Sequence, residues 1–396
     1  MHFGYGPTGL SKATSAMMLG AAIVQSALLY GIYRTSSERL NGVVVAGAAI
    51  MAVASCFAIC AQGDAFAYIA YAKLGSIHAM YAPPVPYHPA PGFESMWVNL
   101  PACVYGPLWA LVNWLLLAWT ANLGTAFLLL RLFAIALLAV MAWALRKLDF
   151  DDRTIAVAVL NPFFYFYYVA EAHNDLFPIV LVLAGAAIAK KRPLAGALVA
   201  ACAGLVKLSF TLIAIVGLNL RRTLPKRLLQ AGTVLATVAV VSILFGGAPY
   251  LHAMLQTGTT QFERGSDPRL HLVFQLAHVA LWLTALAAAA AAFFLNAFLP
   301  AASYAFYGIA GNFSPWYLGW GIPYAAKMPT FTTLYLAMLP AIGVAIDPLF
   351  TFYPAHPWLA VDLVTCAMVI AIAIQFARSA KRVRTAQALE AVAPRA

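Results

Sequence analysis

Acidic side chains are scarce in this chain, and one of them directly follows a long apolar stretch. Asp64 comes after Gly63, shortly beyond the uncharged segment Asn41 to Ala61. A carboxylate at such a boundary accepts a proton from an attacking hydroxyl group or helps to bind a divalent cation. Aspartate is also a preferred N-cap, so Asp64 could instead begin a helix that runs through Tyr68 to Lys73. The two interpretations do not exclude each other.

A second group of reactive side chains occupies one short polar run between apolar segments. Glu171, His173, Asn174 and Asp175 bring two carboxyl groups, an imidazole and an amide close together. If a helix continued through the run, the two acids would share a face at i and i+4. Like charges placed in this way repel unless a proton or a cation lies between them. The run indicates either a functional cluster or a polar turn in which Asn174 or Asp175 caps the next helix.

Two basic residues stand apart from the basic clusters of the chain. Lys207 lies at the junction of two apolar segments, and Arg131 lies inside another. An ammonium group neutralises a lipid phosphate as a compact point charge, but a lysine at this place also reaches water by snorkelling. A buried arginine needs a partner, which is a carboxylate, a backbone carbonyl or a phosphate. Both residues are therefore candidate phosphate ligands with a purely structural alternative.

Aromatic residues form two motifs, one around Tyr105-Gly106-Pro107 and one around Trp316, Tyr317 and Trp320. Aromatic rings stack on the apolar faces of sugars. Tryptophan and tyrosine also gather at membrane interfaces without any ligand. The motifs indicate either a sugar-binding surface or an interfacial belt.

The composition places these residues in a membrane protein. Of the 396 residues, 63% are hydrophobic and 9% are charged, with a mean hydropathy of +0.84. A soluble domain carries roughly a quarter charged residues. The net charge of +11 arises from short clusters between apolar runs, so nucleic acid is not expected as a partner. The five cysteines lie mostly within apolar runs and indicate neither a disulfide framework nor a zinc site.

The apolar runs predict an all-α, polytopic integral membrane protein with about thirteen transmembrane helices. The whole chain, 1–396, is expected to form a single domain. Its predicted parts are an N-terminal helix pair (16–61), a long extracytoplasmic loop with juxtamembrane helices (62–123), a helical bundle (124–377) and a cytoplasmic basic tail (378–396).

The basic clusters predict the orientation, because short cytoplasmic loops are rich in lysine and arginine. These clusters are Arg34/Arg39, Arg146/Lys147/Arg153, Lys190/Lys191/Arg192, Arg221/Arg222/Lys226/Arg227 and Arg378/Lys381/Arg382/Arg384. All of them fall on one side only if the stretch from Pro107 to Thr120 does not cross the membrane. That stretch is then expected to lie at the outer surface or to dip into the membrane and return, and the candidate residues described above are expected on the same outer side.

The motifs of several other functional classes are missing from the sequence. It contains no Walker phosphate loop, no Gly-rich dinucleotide fingerprint and no His-Glu-x-x-His helix, so ATP-driven transport, nicotinamide chemistry and zinc proteolysis lack support. A polytopic transporter or a lipid or glycolipid flippase remains the main alternative to an enzyme. An accessory subunit that binds a partner through its outer loop is a third possibility.

The order of the motifs resembles a known group of enzymes. The motifs are, along the chain, Gly63-Asp64 with Tyr68, Tyr105-Gly106-Pro107-Leu108, Asn161-Pro162, His173-Asn174-Asp175, Lys207, and Pro315-Trp316-Tyr317 with Trp320. In this order they resemble glycosyltransferases of the C superfamily (GT-C). They are most similar to bacterial polyprenyl-phosphate-mannose-dependent α-mannosyltransferases, which elongate mannans. In that superfamily the first outer loop carries the essential acid, and the proline motif begins a juxtamembrane helix.

The resemblance implies a function and a role for each candidate. The enzyme would transfer a hexose, mannose by analogy, from a polyprenyl-phosphate sugar to a glycan or lipid-linked acceptor, with inversion at the anomeric carbon. The implied roles are Asp64 as the general base, Lys207, His173 and Arg131 as ligands of the donor phosphate, and Tyr68, Tyr105, Glu171, Asn174, Asp175, Trp316 and Tyr317 as residues that bind the sugar or the acceptor.

The resemblance also implies a location and partners. The protein is expected in the bacterial inner (plasma) membrane, among membrane lipids, with an extracytoplasmic active site for cell-envelope glycan synthesis and a cytoplasmic C-terminus. An aspartate pair in the first loop, present in some relatives, is absent here because Ala65 follows Asp64. No residue is therefore predicted as a metal ligand, although a divalent cation, Mg²⁺ or Mn²⁺, stays compatible with the acids.

Overall fold

A computed structural model of the chain describes residues 12–34, 40–57, 63–83, 88–89, 93, 100–218, 223–254, 283, 293, 315–325 and 333–341. Every regular element in these ranges is helical, which confirms the predicted all-α class. The spans predicted between 273 and 311 lie almost entirely outside the described residues. The span predicted at 358–376 and the basic tail at 378–396 lie wholly outside them.

The described elements follow one another as helices of very different length. The elements that precede the polar run at Glu171 to Asp175 are α1 (Lys12–Arg34), α2 (Leu40–Cys56), α3 (Gly63–Ala72), α4 (Ile77–Tyr81), α5 (Pro107–Leu117), α6 (Leu123–Lys147), α7 (Asp152–Val159) and a π-helical segment (Phe164–Ala170). Those after it are α8 (Leu176–Ala189), α9 (Pro193–Val206), α10 (Phe210–Gly217), α11 (Leu224–Val241) with a π-helical turn (Ser242–Gly246), a 3-10 helix (Pro315–Gly321), α12 (Ile322–Ala325) and α13 (residues 333–341).

Two of the described helices are long and apolar enough to cross a membrane, Leu123–Lys147 and Leu224–Met254. Large apolar side chains also lie uncovered on the helix surfaces, among them Ile50 on α2 and Leu244 at the end of α11. A water-soluble protein rarely exposes so much continuous apolar surface, whereas lipid covers it in a membrane protein. The described helices are compatible with a membrane protein, and the number of thirteen crossings stays a prediction.

The crossing predicted between Thr154 and Ala170 is not one continuous helix. It divides into α7 and the π-helical segment around Asn161 and Pro162, because a proline inside a helix removes a backbone donor and clashes with the preceding turn. Asn161 fixes the break. Its side-chain amide donates to the Leu336 carbonyl at 2.7 Å, and its side-chain oxygen accepts the Phe163 N–H at 3.1 Å.

Helices α8 and α9 form a tightly packed hairpin whose two ends differ in chemistry. The backbones approach closely at Gly185 and Gly196, and a Cβ on Gly185 would lie 2.7 Å from the Gly196 carbonyl oxygen. Each helix has 14 residues and is about 21 Å long. Asp175 and Lys207 flank the hairpin at one end, and the basic turn around Lys190 forms the other. That these two ends lie on opposite sides of a membrane stays a prediction.

Helix α5 lies where the sequence predicted a segment that does not cross. Its 11 residues extend about 16 Å, roughly half of a bilayer's hydrocarbon core. The Gly106 N–H donates to the Val206 carbonyl at 2.9 Å, so the start of α5 is fixed to the end of α9. Further along, the Asn113 amide donates to the Tyr68 carbonyl at 2.7 Å and holds α5 against α3. These two contacts bring α3 and α5 to the end of α9, next to Lys207.

Candidate active site

The polar run from Glu171 to Asp175 forms a turn, and its backbone leaves the helical path at Ala172. The Glu171 N–H still donates to the Phe166 carbonyl at 3.0 Å, but Ala172 has a φ of 57°. This left-handed conformation costs alanine of the order of 1–3 kcal/mol, so neighbouring contacts must stabilise it. Because the helix does not continue, Glu171 and Asp175 do not share a helix face as the sequence allowed. They enter two separate clusters.

In the first cluster, His173 joins two acidic residues. Its Nδ1 is 3.5 Å from Asp64 Oδ2, and its Nε2 is 3.4 Å from Glu171 Oε2. The imidazole is fully buried and stacks on the Trp316 ring, with ring centroids 3.8 Å apart and planes at 19°. Only the imidazolium form carries an N–H on both nitrogens. The geometry therefore favours a cationic His173 between two carboxylates.

Asp64 is held through one of its two carboxylate oxygens. Helix α3 begins at Gly63, so Asp64 lies in the first turn, where an acid is stabilised by the helix dipole, and the N-cap interpretation is not observed. The Tyr105 hydroxyl donates to Asp64 Oδ2 at 3.4 Å, and the Tyr68 hydroxyl donates to Tyr105 at 3.3 Å. His173 contacts the same Oδ2. Among the described residues Oδ1 has no partner, and the side chain is 40% exposed.

The charges of this cluster follow from opposing effects on each pKa. Burial acts to raise the pKa of Asp64, but the hydrogen bond and charge of His173, the charge of Lys207 and the Tyr105 hydroxyl together hold it below its usual value. Burial acts to lower the pKa of His173, but the hydrogen bonds and charges of Asp64 and Glu171 raise it to about 9. At neutral pH, Asp64 is therefore a carboxylate and His173 an imidazolium.

The second cluster is a buried ion pair between Lys207 and Asp175. Lys207 Nζ is 2.6 Å from Asp175 Oδ1, and the Trp320 indole N–H donates to the same oxygen at 2.7 Å. Asp175 is 0% exposed and Lys207 is 9% exposed. The capping interpretation is wrong for Asp175, because its side chain makes no capping bond to α8. The snorkelling interpretation is wrong for Lys207, because its ammonium group is buried against this carboxylate.

Both predicted aromatic motifs meet at Lys207. The rings of Tyr105, Tyr317 and Trp320 lie with their centroids 5.3, 5.3 and 5.6 Å from Lys207 Nζ, within the range of cation–π attraction. The 3-10 helix has three residues per turn, so Tyr317 and Trp320 lie on one side, and their rings are 4.4 Å apart. The ammonium group thus has an aromatic cage and one carboxylate.

Arg131 on α6 binds the backbone directly before the turn. Its guanidinium donates to the Ala170 carbonyl through Nε at 3.2 Å and Nη2 at 3.0 Å, and to the Cys56 carbonyl through Nη1 at 2.7 Å. Backbone carbonyls are one of the three kinds of partner that the sequence allowed. Because Ala170 directly precedes the turn, Arg131 supports the first cluster. Its contact with a donor phosphate stays a prediction.

Metal binding has no clear place in the described residues. They contain no group of three or more His, Cys, Asp or Glu side chains that could hold a metal ion. The His173 ring occupies the position between Asp64 and Glu171, where a cation would otherwise be expected. Binding of Mg²⁺ or Mn²⁺ stays a prediction.

A protein-family model described as "Alpha-(1->6)-mannopyranosyltransferase, N-terminal domain" matches residues 6–222, more than half of the chain. The chain belongs to this mannosyltransferase family. The predicted resemblance is therefore confirmed, and the mannosyltransferase is expected to use a sugar donor and a glycan acceptor. The matched range contains Asp64, His173 and Lys207, whereas Trp316 lies beyond it. Searches of curated proteins and of solved structures found no match to the chain.

The structure of this mannosyltransferase brings most of the predicted site residues into the two clusters. They are Asp64, Tyr68, Tyr105, Glu171, His173, Asp175, Lys207, Trp316 and Tyr317. Asn174 lies between the clusters in sequence and is 4% exposed, and neither atom of its side-chain amide has a hydrogen-bond partner among the described residues. The roles of all these residues stay predictions.

Two residues that shape the site were not among the predicted binding residues of the mannosyltransferase. Trp320 donates to Asp175, and its spacing of three from Tyr317 would have indicated a shared face if a 3-10 helix had been expected. Asn113 holds α5 against α3. The sequence feature that could have indicated this role is a single side-chain amide within an otherwise apolar segment. Neither signal identifies the partner, because both contacts join segments far apart in the chain.

Proposed function

We propose that this mannosyltransferase transfers a hexose, mannose by family analogy, from a polyprenyl-phosphate donor to a hydroxyl group of a glycan or glycolipid acceptor. Family membership favours sugar transfer over the alternative of a transporter or flippase. One observation carries the chemical proposal. Asp64 is anchored through Oδ2 by His173 and Tyr105, while Oδ1 has no partner among the described residues. The free oxygen is suited to receive a proton from a bound hydroxyl group.

In the proposed reaction, the acceptor oxygen attacks the anomeric carbon of the donor while Asp64 accepts the acceptor's proton. The bond between the anomeric carbon and the phosphate oxygen breaks on the opposite side, so the configuration inverts. The electron pair leaves with the polyprenyl phosphate, and the proton passes from Asp64 to water afterwards. A carboxylate with a lowered pKa is a weak base, so proton transfer is expected late, once the new bond has made the hydroxyl acidic.

We assign the developing phosphate charge to Lys207. Its ammonium group has three N–H donors, and the pairing with Asp175 leaves others for phosphate oxygens. The aromatic cage lowers the local dielectric, which strengthens a charge-assisted contact. Arg131 and His173 are the further candidates that the sequence suggests for the phosphate.

The remaining predicted binding residues would contact the sugar or the acceptor. Trp316 and Tyr317 would frame the sugar ring, and the hydrogen-bonding side chains would contact its hydroxyl groups. These polar or partly polar residues are Tyr68, Tyr105, Asn174 and Asp175, whereas Glu171 lies beside His173. No step of the proposed reaction depends on a divalent cation, whose possible contribution is a separate prediction.

The proposal includes a location. The protein would lie in the bacterial inner membrane with about thirteen crossings, its active site on the extracytoplasmic face and its C-terminus in the cytoplasm. The short α5 would be a juxtamembrane helix at the outer surface. A membrane-impermeant thiol reagent on intact cells tests this in a background without native cysteines. Trp119→Cys at the end of α5 should be labelled and Thr223→Cys before α11 should not, and the reverse result would overturn the orientation.

The proposed reaction is tested with the purified full-length chain, radiolabelled polyprenyl-phosphate mannose and a panel of glycan acceptors. Asp64→Asn keeps the shape of the side chain but removes the base, so turnover should fall about 100-fold or more. Asp152→Asn is the matched control, because Asp152 begins α7, is exposed beside Arg146 and belongs to neither cluster. Equal turnover by Asp64→Asn and the wild type would refute the role of Asp64. Transbilayer movement of labelled donor without product would favour a flippase.

A further inference from the structure

We propose that Glu171 and His173 form a positioning pair that sets the orientation and the charge of Asp64, with Trp316 holding the plane of the imidazole. The proposal rests on the proposed role of Asp64 as the base. It differs from the sequence prediction for His173, because both ring nitrogens lie beside carboxylate oxygens, at 3.5 Å on Asp64 and 3.4 Å on Glu171.

The first step of the argument is the geometry of the imidazole. Each ring nitrogen lies within ion-pair distance of one carboxylate oxygen, at 3.5 Å on Asp64 and 3.4 Å on Glu171, although neither contact has hydrogen-bond geometry. A neutral imidazole would leave two carboxylates beside the ring with no positive charge between them, which is unfavourable in a buried place. Distances slightly longer than a tight hydrogen bond are common in active sites without substrate. His173 therefore connects the two acids as a cation.

The second step is the orientation of Asp64. His173 Nδ1 and the Tyr105 hydroxyl both contact Oδ2, so the carboxylate cannot rotate freely and Oδ1 is kept away from protein donors. The imidazole itself is fixed on the opposite edge by Glu171 and on its face by Trp316. Without Glu171, the ring would lose one of these restraints, and the free oxygen of Asp64 would be less well placed.

The third step is the charge balance during the reaction. Before transfer, the two carboxylates and the imidazolium carry one net negative charge. After Asp64 accepts the proton of the acceptor, the group is neutral. If glutamine replaced Glu171, the group would be neutral before proton transfer and would carry one net positive charge after it. A net positive charge in a buried place is costly, so Asp64 would accept the proton less readily and would be a weaker base. Glu171, whose side chain is 8% exposed, keeps a counter-charge beside His173 throughout.

The fourth step is the attachment of Trp316. The Tyr168 hydroxyl donates to the Trp316 carbonyl at 2.6 Å, which fixes the start of the 3-10 helix against the π-helical segment. The indole face stacks on the imidazole, and a cation–π contact of this kind favours the protonated ring. The other titratable groups close enough to interact with the charge of Asp64 are Tyr68, Tyr71, Tyr105, Tyr317 and Lys207. The charged Arg131 donates to the Ala170 carbonyl, directly before Glu171.

The test compares Glu171→Gln and His173→Gln with the wild type, using the purified full-length chain, labelled polyprenyl-phosphate mannose and one acceptor glycan. We expect kcat to fall about 100-fold, because a misplaced catalytic group loses about this much. The KM for the donor should stay within about twofold, because the pair does not contact the phosphate. Glu171→Asp keeps the charge and should recover part of the loss. Asp152→Asn is again the control.

Two further measurements separate this proposal from its alternatives. Wild-type turnover should fall as pH rises through about 9, where His173 loses its proton, and in Glu171→Gln this fall should begin at lower pH. A double variant, Asp64→Asn with Glu171→Gln, should lose little more turnover than Asp64→Asn alone, because Glu171 acts through Asp64.

The outcomes are distinguishable. A raised donor KM in His173→Gln with unchanged kcat would overturn the positioning role and favour a phosphate contact. Additive losses in the double variant, or an unshifted pH profile in Glu171→Gln, would overturn the pair while leaving Asp64 as the base. Full turnover by Asp64→Asn would overturn both the base and the pair. If Glu171→Gln failed to fold, the same kinetic comparison would be made with Glu171→Asp and His173→Gln.

Discussion

Replacement of Lys207 by methionine removes one partner of the buried ion pair and keeps the apolar stem of the side chain. Asp175 then retains the Trp320 N–H at 2.7 Å as its remaining hydrogen bond, and its Oδ2 already has no partner among the described residues. The carboxylate is 0% exposed, so water cannot readily replace the lost ammonium group. The variant leaves a charge buried without its counter-charge.

The expected cost follows from measurements on buried pairs. Removing one partner destabilises a protein by about 3–5 kcal/mol, whereas neutral residues of similar volume in both positions often have little net effect. The double variant Lys207→Met with Asp175→Asn should therefore recover most of the stability that Lys207→Met loses. The 14-residue helices α8 and α9 meet at this pair, so the loss should appear in the unfolding of the whole hairpin.

The assay is thermal unfolding in detergent, followed by tryptophan fluorescence at one fixed scan rate because membrane proteins often unfold irreversibly. Lys207→Met should lower the apparent midpoint by several degrees, and the double variant should restore most of it. Turnover should stay low in both, because neither carries an ammonium group for the phosphate. Equal midpoints for the wild type and both variants would refute the stabilising role of the pair. High turnover by the double variant would refute the phosphate contact.

Three further predictions concern the same site. The pKa of His173 is raised from 6.5 to about 9, so its stabilisation is complete below 6.5 and is lost as pH rises through about 9; the midpoint should fall there in the wild type and less in His173→Gln. Gly106→Ala would press a Cβ against the Leu205 carbonyl group and should cost about 1–3 kcal/mol in a denaturant titration, whereas Gly232→Ala, with open space, should not destabilise. Asn174→Ala loses no hydrogen bond within the described residues, so its unfolding midpoint should be unchanged while sugar turnover falls; an unchanged turnover would contradict sugar binding.

The sequence by itself determined the class of this protein and the parts of its site. Composition and uninterrupted apolar runs are sufficient to predict helices and a membrane environment, because both depend on local hydrophobicity. The order of short motifs from Asp64 to Trp320 was sufficient to predict the mannosyltransferase family. The charge pattern also predicted that the segment beginning at Pro107 does not cross the membrane, and the helix found there, α5, has only 11 residues.

Only the tertiary structure decided which of these side chains meet. The i, i+4 spacing of Glu171 and Asp175 suggested one shared face, but the left-handed φ of Ala172 directs them into different clusters. Asp175 contacts Lys207, which is 32 residues away in sequence, and Trp320, which is 145 residues away, because the ends of α8, α9 and the 3-10 helix converge there. Spacing along a chain predicts contacts within one helix. Contacts between helices depend on packing, which no local pattern contains.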